Sequence, residues 1–254
     1  MENKQKIAVV TGGSRGLGKN MAFSLAQKGN DVIITYVNSK TEAEALVKEI
    51  EAIGRKAYAL QLDLNNFKSL DGFISSLSST LKEKFKTDKF DFLINNAGMG
   101  KTIPFEQVTE EIFDEFLNVH YKSVYFLTQK SIAHMNEGGR IINLSSGTTR
   151  FANPGYSVYA SMKGAIETLT KYFAKELGAK GITANVVAPG PIETDFNNAA
   201  IRSNPQMKGF LATLSPLGRV GQADDIGGVV AFLCSEDAKW INGQRIEVSG
   251  GINV

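Results

Sequence analysis

The sequence predicts a single-domain α/β fold, a doubly wound sheet of seven parallel strands with helices on both faces. Three observations lead there. Short β-branched runs alternate with longer stretches of helical period, no Pro/Ser-rich linker or internal repeat interrupts them, and 254 residues suit one large α/β domain. Crossovers between parallel strands are nearly always right-handed, which puts helices on both sides of the sheet.

The elements read in order. Ile7–Val10 is the first strand, followed by a glycine-rich turn and a helix over Gly16–Lys28. Val32–Tyr36 and a helix over Thr41–Ile53 come next, then Ala57–Leu62 and a helical stretch over Phe67–Phe85. Phe90–Ile94 precedes a long helix over Thr109–Met135, with Thr109 as its N-cap and Glu110 and Glu111 placed at the positive end of the dipole. Arg140–Leu144, a helix over Gly155–Leu177, Thr183–Ala188, a helix over Asp224–Cys234 and Arg245–Val248 complete the series. The rhythm breaks only between Pro189 and Gly221, a stretch with Pro189, Pro191, Pro205 and Pro216 that still carries Phe210, Leu211 and Leu214. Long loops with apolar content in a compact domain are usually functional, and a lid is expected here.

Composition excludes several classes. The 28 Lys and Arg residues balance 26 Asp and Glu and are spread along the chain, so nucleic acid is not an expected partner. Cys234 is the single cysteine and there are two histidines, which leaves no Cys/His metal set and no internal disulfide. The polar start, MENKQK, and the short apolar run after it argue against a leader or a membrane span, so a cytoplasmic location is expected.

The first strand runs into Thr11-Gly12-Gly13-Ser14-Arg15-Gly16-Leu17-Gly18 at the head of a helix. Glycines there let backbone approach a pyrophosphate, whose charge the helix N-terminus stabilises. A carboxylate about 20 residues on would bind a ribose 2′-hydroxyl. Counting from Gly18 leads to Asn38, and Val32 to Thr41 contains no Asp or Glu. Arg15 and Lys40 supply cations for a 2′-phosphate instead, which favours NADP(H) over NAD(H).

Tyr159 and Lys163 stand four apart at the start of a predicted helix and so share one face. A tyrosine, with its usual pKa of about 10, is a poor base, and a neighbouring ammonium favours its phenolate. Ser146, preceded by Ser145, ends the fifth predicted strand, and Asn95-Asn96-Ala97-Gly98 ends the fourth. Ligands of open α/β sheets sit beyond these carboxyl ends.

With these residues in this order, together with Pro189-Gly190, the chain resembles the short-chain dehydrogenase/reductases over essentially its whole length. The resemblance implies a Rossmann-like domain over residues 1–254, with 189–221 as the substrate lid. It implies a catalytic tetrad: Tyr159 as acid/base, Ser146 polarising the substrate oxygen, Lys163 lowering the tyrosine pKa and holding the nicotinamide ribose, and Asn118 helping to hold a relay water. Asn95 would support the central sheet. For the cofactor it implies Gly12, Arg15, Gly16, Leu17 and Gly18 around the pyrophosphate and adenosine ribose, with Ser14, Asn38, Ser39 and Lys40 in the same set. Asp63 and Leu64 would meet the adenine, Asn95, Ala97 and Gly98 the adenosine and central cofactor, and Pro189, Gly190, Ile192 and Thr194 the nicotinamide. A homotetramer is implied as well, packed through the apolar faces of 109–135 and 155–177. His120 and His134, on or near the first of these, are expected to be structural.

Within that family the chain is most similar to 3-oxoacyl-carrier-protein reductases, but it departs where an acidic carrier would dock. The fifth strand is preceded by His134-Met135-Asn136-Glu137-Gly138-Gly139 rather than a basic stretch, and Lys180 stands where arginine is common. Met99, Phe151, Tyr156 and the Phe196–Leu214 lid would line an apolar pocket. The expected function is NADP(H)-dependent reduction of a ketone or 3-oxoacyl compound to a secondary alcohol. The alternatives are a carrier-protein reductase of fatty-acid synthesis, an NAD(H)-dependent alcohol, sugar or steroid dehydrogenase, and a non-catalytic dinucleotide sensor.

Overall fold

The computed structural model describes residues 5–254; the first four, part of the polar start noted above, lie outside the described residues. Seven strands, β1 (Ile7–Val10), β2 (Asp31–Tyr36), β3 (Ala57–Gln61), β4 (Phe90–Asn95), β5 (Met135–Leu144), β6 (Thr183–Pro189) and β7 (Arg245–Val248), form one sheet in the order β3-β2-β1-β4-β5-β6-β7. Every pairing is parallel. The strand order reverses between β1 and β4, and the chain leaving their carboxyl ends opens a crevice there.

One face of the sheet is covered by α1 (Gly16–Gln27), α2 (Lys40–Ala52) and α9 (Asp224–Leu233), which bury Met21, Leu25, Leu46, Ile226 and Val230 against the strands. On the other face α3 (Leu70–Thr80), α5 (Ser123–Ser131) and α6 (Ser157–Leu177) bury Leu70, Phe73, Leu77, Leu127 and Ala174. Each fully buried Leu or Ile contributes about 1.5–3 kcal/mol. Both faces of the central strands are apolar, as a parallel sheet between two helical layers requires. Among the described residues no helix is long and apolar enough to cross a membrane.

Several predicted boundaries move for identifiable reasons. The stretch predicted as one helix over Thr109–Met135 is α4 (Glu110–Leu117), a π-turn at Asn118–Lys122, α5 and a 3-10 turn at Ile132–His134. Thr109 caps it as expected, its hydroxyl accepting from the amide of Ile112. Strand β5 starts at Met135, which pairs with Phe90 across a bulge, and Gly138 at φ 74° sits in the irregular stretch before Arg140. Gly155 is a turn rather than a helical residue: φ is +84° and a Cβ there would stand 2.6 Å from Thr102 Cγ2. The segment 67–85 also divides, into a 3-10 turn, α3 and a π-turn that ends at left-handed Lys86.

The expected lid is partly helical. Its base is stitched by an isolated bridge between Ile192 and Gly221. Above it lie a short turn, α7 (Phe196–Ala199), and the helix α8 (Pro205–Thr213), the latter capped by Asn204, which accepts from Met207 N at 2.9 Å. Asn197, Asn198 and Ala199 have φ of 52°, 56° and 56°, a left-handed turn built largely without glycine.

Candidate active site

A cleft of about 880 Å³ runs along the carboxyl ends of β1, β2, β4, β5 and β6 and under the lid. The turn after β1 forms one end. Thr35 Oγ1 accepts from Gly12 N at 3.1 Å, while Asn96 Nδ2 donates to the carbonyls of Thr11 and Gly12 at 2.8 and 3.1 Å. A Cβ on Gly18 would fall 2.0 Å from the Gly12 carbonyl oxygen, so the turn closes only with glycine there. Ser14, Arg15, Gly16 and Leu17 line the cleft beside the first turn of α1. That turn has no side-chain cap and no acidic residue, which leaves its amide hydrogens open. Asn38, Ser39, Asp63 and Leu64 line the same end, and Asp63 Oδ1 accepts from Asn65 N at 2.9 Å. Ala97, Gly98, Pro189, Gly190, Ile192 and Thr194 line its middle.

Three named residues stand elsewhere. Lys40, expected to supply a cation, does not line the cleft and lies 3.7 Å from Glu44, one helical turn on. Asn95 is buried in the sheet and clamps it, donating to Thr128 Oγ1 at 3.1 Å and Asn143 Oδ1 at 2.8 Å; its neighbour Asn96 lines the cleft instead. Asn118 is half-buried and does not line the cleft. The π-turn that starts with it inserts Val119 and His120 there.

Tyr159 and Lys163 rise from the first turns of α6 into the cleft, both buried, and Ser146 enters from the end of β5. Ser146 Oγ accepts from Thr148 N at 3.2 Å and from Thr148 Oγ1 at 3.0 Å. With Thr148 donating to it twice, its own proton is left for another acceptor in the cleft that it lines with Tyr159.

Burial pushes the Tyr159 phenol up to about 12, with Tyr156 adding to the rise and the Ser146 hydrogen bond opposing it. Burial sets the net direction, so the lowering expected of Lys163 does not show in it. Lys163 Nζ donates to the Leu144 carbonyl at 2.7 Å and lies 5.6 Å from the Tyr159 ring centre, and its own burial lowers it to about 8. At neutral pH the pair is a phenol beside an ammonium.

His120 is a cleft residue that the sequence alone does not reveal. It is buried, with Nε2 2.9 Å from the Met99 carbonyl oxygen. Its ring stacks on Phe116 and meets Tyr159 edge-on, centroids 5.2 Å apart at 90°. Burial, and then the Lys163 charge, hold its pKa well below the usual value, so the imidazole is neutral. Phe116, four residues earlier on the same apolar stripe, is the signal that could have found it.

Behind Ser146 lies a charged network. Glu167 Oε1 accepts from Ser145 Oγ at 2.6 Å, Thr149 Oγ1 at 2.7 Å and Arg245 Nε at 2.8 Å. Arg245 also donates to the Ser146 carbonyl at 3.4 Å and to Glu247 at 2.9 Å, and Arg150 closes the set on Glu247 at 2.7 Å. No group of three His, Cys, Asp or Glu side chains that could hold a metal ion occurs among the described residues. Cys234 is buried, and burial raises its thiol to about 12.

Comparison with known proteins agrees with this architecture. A family model described as enoyl-(acyl carrier protein) reductase matches residues 12–253. An uncharacterized oxidoreductase of Methylorubrum extorquens is 39% identical over 247 residues, covering 97% of each chain. The 3-oxoacyl-[acyl-carrier-protein] reductase of Staphylococcus aureus is 38% identical, over 97% of this chain and 98% of its own. Among solved structures, an angucycline C-6 ketoreductase with bound NADP superposes with a TM-score of 0.92 at 38% identity, over 97% of this chain and 95% of that one.

Proposed function

The chain belongs to the short-chain dehydrogenase/reductase family of oxidoreductases, and from that premise we propose that it uses NADP(H) to reduce a small-molecule carbonyl to a secondary alcohol. The observation that carries this reading is the pairing of a Tyr159 phenol, protonated at neutral pH, with a Ser146 hydroxyl whose lone pairs are already engaged by Thr148. Two hydroxyl donors then line one cleft, which is what a carbonyl oxygen gaining negative charge needs.

The residues present fit the cofactor. The open amides of α1 and the exposed Arg15 suit a pyrophosphate and a 2′-phosphate, and the NADP bound to the similar angucycline ketoreductase supports that choice. Ser14, Gly16, Leu17, Asn38 and Ser39 would hold the adenosine end, and Pro189, Gly190, Ile192 and Thr194 the nicotinamide. When bound, the reduced cofactor supplies a hydride to the carbonyl carbon.

This chain's own part is the proton and the field. Tyr159 Oη gives its proton to the substrate oxygen, Ser146 donates a hydrogen bond to the same atom, and the Lys163 ammonium steadies the phenolate that Tyr159 becomes. Asp63, Leu64, Ala97 and Gly98 shape the cleft between. The exposed Phe113, Tyr125 and Tyr172 on α4, α5 and α6 support the homotetramer that family membership suggests.

Following NADPH absorbance with a panel of ketones tests the reading. Tyr159→Phe should bind NADPH with unchanged affinity and lose reduction by about 10²–10⁴-fold, the range of general acid catalysis. Tight NADPH binding without turnover on any carbonyl would instead mark the chain as a sensor. The similarity to the S. aureus enzyme supports a carrier-bound 3-oxoacyl substrate as the second reading.

A further inference from the structure

We infer that the substrate is a neutral ketone borne on an aromatic ring system, and that acyl groups on an anionic carrier are disfavoured; this rests on the reductase reading above.

Beyond Tyr159 the cleft is walled by Met99, Phe151, Tyr156, Phe196, Met207 and Phe210. Four rings and two thioethers, beside the aliphatic Leu211 and Leu214, offer faces and polarisable edges to a flat ring. Phe196 is held close to the acid: its ring centre is 6.1 Å from that of Tyr159, and a Cβ on Gly100 would stand 2.4 Å from its Cε1. Tyr156 meets Tyr159 at 6.2 Å and 74°, so rings flank the phenol on two sides. Phe196 and Phe210 are 43% and 62% exposed, apolar surface that a bound ring would cover. Asn197 Nδ2, on the lid, donates to Tyr156 Oη at 3.0 Å and Thr102 Oγ1 at 3.2 Å, bridging the mouth with uncharged groups.

The charges around the mouth argue against an anion. Lys101 is 2.8 Å from Glu115, Arg202 is 2.7 Å from Asp195 and Lys208 is 2.8 Å from Glu193. Of these six side chains the two that line the cleft are both carboxylates, Glu115 and Asp195. Such exposed pairs add little stability; what matters is that they cancel, leaving no positive field to steer an acidic carrier or a phosphodiester. Arg150, below the mouth, is committed to Glu247 at 2.7 Å and to the Asn253 carbonyl at 3.0 Å. Lys163 is buried and bonded to Leu144, and Arg15 lies at the glycine turn.

The test uses the full chain, NADPH and two aryl ketones that differ by one charge remote from the carbonyl, para-acetylbenzoate and its methyl ester, with acetoacetyl-coenzyme A and an acetoacetyl carrier protein beside them. The ester should exceed both the acid and the thioesters in kcat/KM by about tenfold or more. The Glu115→Gln, Asp195→Asn double variant should narrow the ester-to-acid ratio, and Phe196→Ala should narrow the preference of the ester over an aliphatic ketone of similar size. Equal rates on acid and ester, an unchanged ratio in the double variant, or turnover confined to the thioesters would overturn the inference while leaving the reductase reading in place. No turnover on any of the four, with turnover elsewhere on the ketone panel, overturns the inference alone; none on the whole panel overturns both.

Discussion

The imidazole of His120 occupies the space that a side chain at position 98 would need: a Cβ on Gly98 would lie 2.8 Å from His120 Cε1 and 3.3 Å from Nδ1. Gly98 ends the loop after β4, and His120 sits on the π-turn between α4 and α5, so the two elements are gauged against each other. Behind the imidazole stand Phe116 and Tyr159, which leave it little room to retreat. Gly98→Ala should therefore destabilise by about 1–3 kcal/mol, the usual cost of overpacking. Adding His120→Ala should recover part of that loss. A double-mutant cycle by urea unfolding measures the coupling, and additive losses would show that the contact is not shared.

His120 also sets an acid limit. Its pKa is lowered well below 6.5 by burial, so the folded state takes up less proton than the unfolded chain once pH falls past 6.5. Stability is then fully present above pH 6.5 and declines below it. The carboxylates with the deepest depressions, Asp225 and Glu247 at about 2, lose their contribution only at lower pH. Thermal melts between pH 5 and 7 should slope upward for the native chain and flatten in His120→Asn.

Lys163 gives the same sign in an alkaline window. Burial lowers it from 10.5 to about 8, so between those values the unfolded chain holds more proton and stability rises with pH. Below pH 8 the buried ammonium costs about 3 kcal/mol, offset in part by its bond to the Leu144 carbonyl. Lys163→Met should melt a few degrees higher at neutral pH, with the advantage shrinking above pH 8, while reduction is lost. In the native chain, reductive kcat should fall above about pH 8 as the ammonium that steadies the phenolate loses its proton.

Glu167 and Arg245 hold the loop that carries Ser146. Glu167 gathers Ser145, Thr149 and Arg245, and Arg245 reaches the Ser146 carbonyl, so the loop that carries the hydroxyl donor is tied to α6 and β7. Glu167→Gln keeps the shape and removes the charge; kcat should drop about tenfold with KM for NADPH unchanged, since a slight misplacement of a donor is enough to cost that much. Arg245→Lys, which loses the fork, should behave alike. An equal loss in both kcat and NADPH affinity would point to general loosening instead.

The sheet and the Tyr159–Lys163 pair are legible in the sequence because both depend on short-range spacing: alternating runs for the strands, four residues on one helical face for the pair. His120 is not, because its place four residues after Phe116 reads equally as packing on an apolar stripe, and spacing does not show that the π-turn at Asn118–Lys122 brings it to the cleft. The direction of the Tyr159 shift is also hidden, since spacing reports the neighbour but not how much water burial removes. Lys40 is a different case: Glu44, four residues on, is the partner that helical spacing supplies, and the sequence alone contains that signal.

The Lys40–Glu44 pair sharpens the cofactor prediction. Arg15 is exposed at the cleft edge beside Ser14, Asn38 and Ser39 and pairs with no carboxylate among the described residues, whereas Lys40 is turned to Glu44. A 2′-phosphate carries about two negative charges and is recognised best by a planar fork of donors. Arg15→Glu places a like charge against it and should lower kcat/KM with NADPH by about 10²-fold, with NADH little changed. Lys40→Ala should alter NADPH use by less than about threefold, the scale of an exposed charge facing elsewhere. Measuring both cofactors on all three proteins with one ketone separates the two residues. A larger loss in Lys40→Ala than in Arg15→Glu, or a native chain that turns over NADH faster than NADPH at equal subsaturating concentration, would move the 2′-phosphate contact away from the glycine turn.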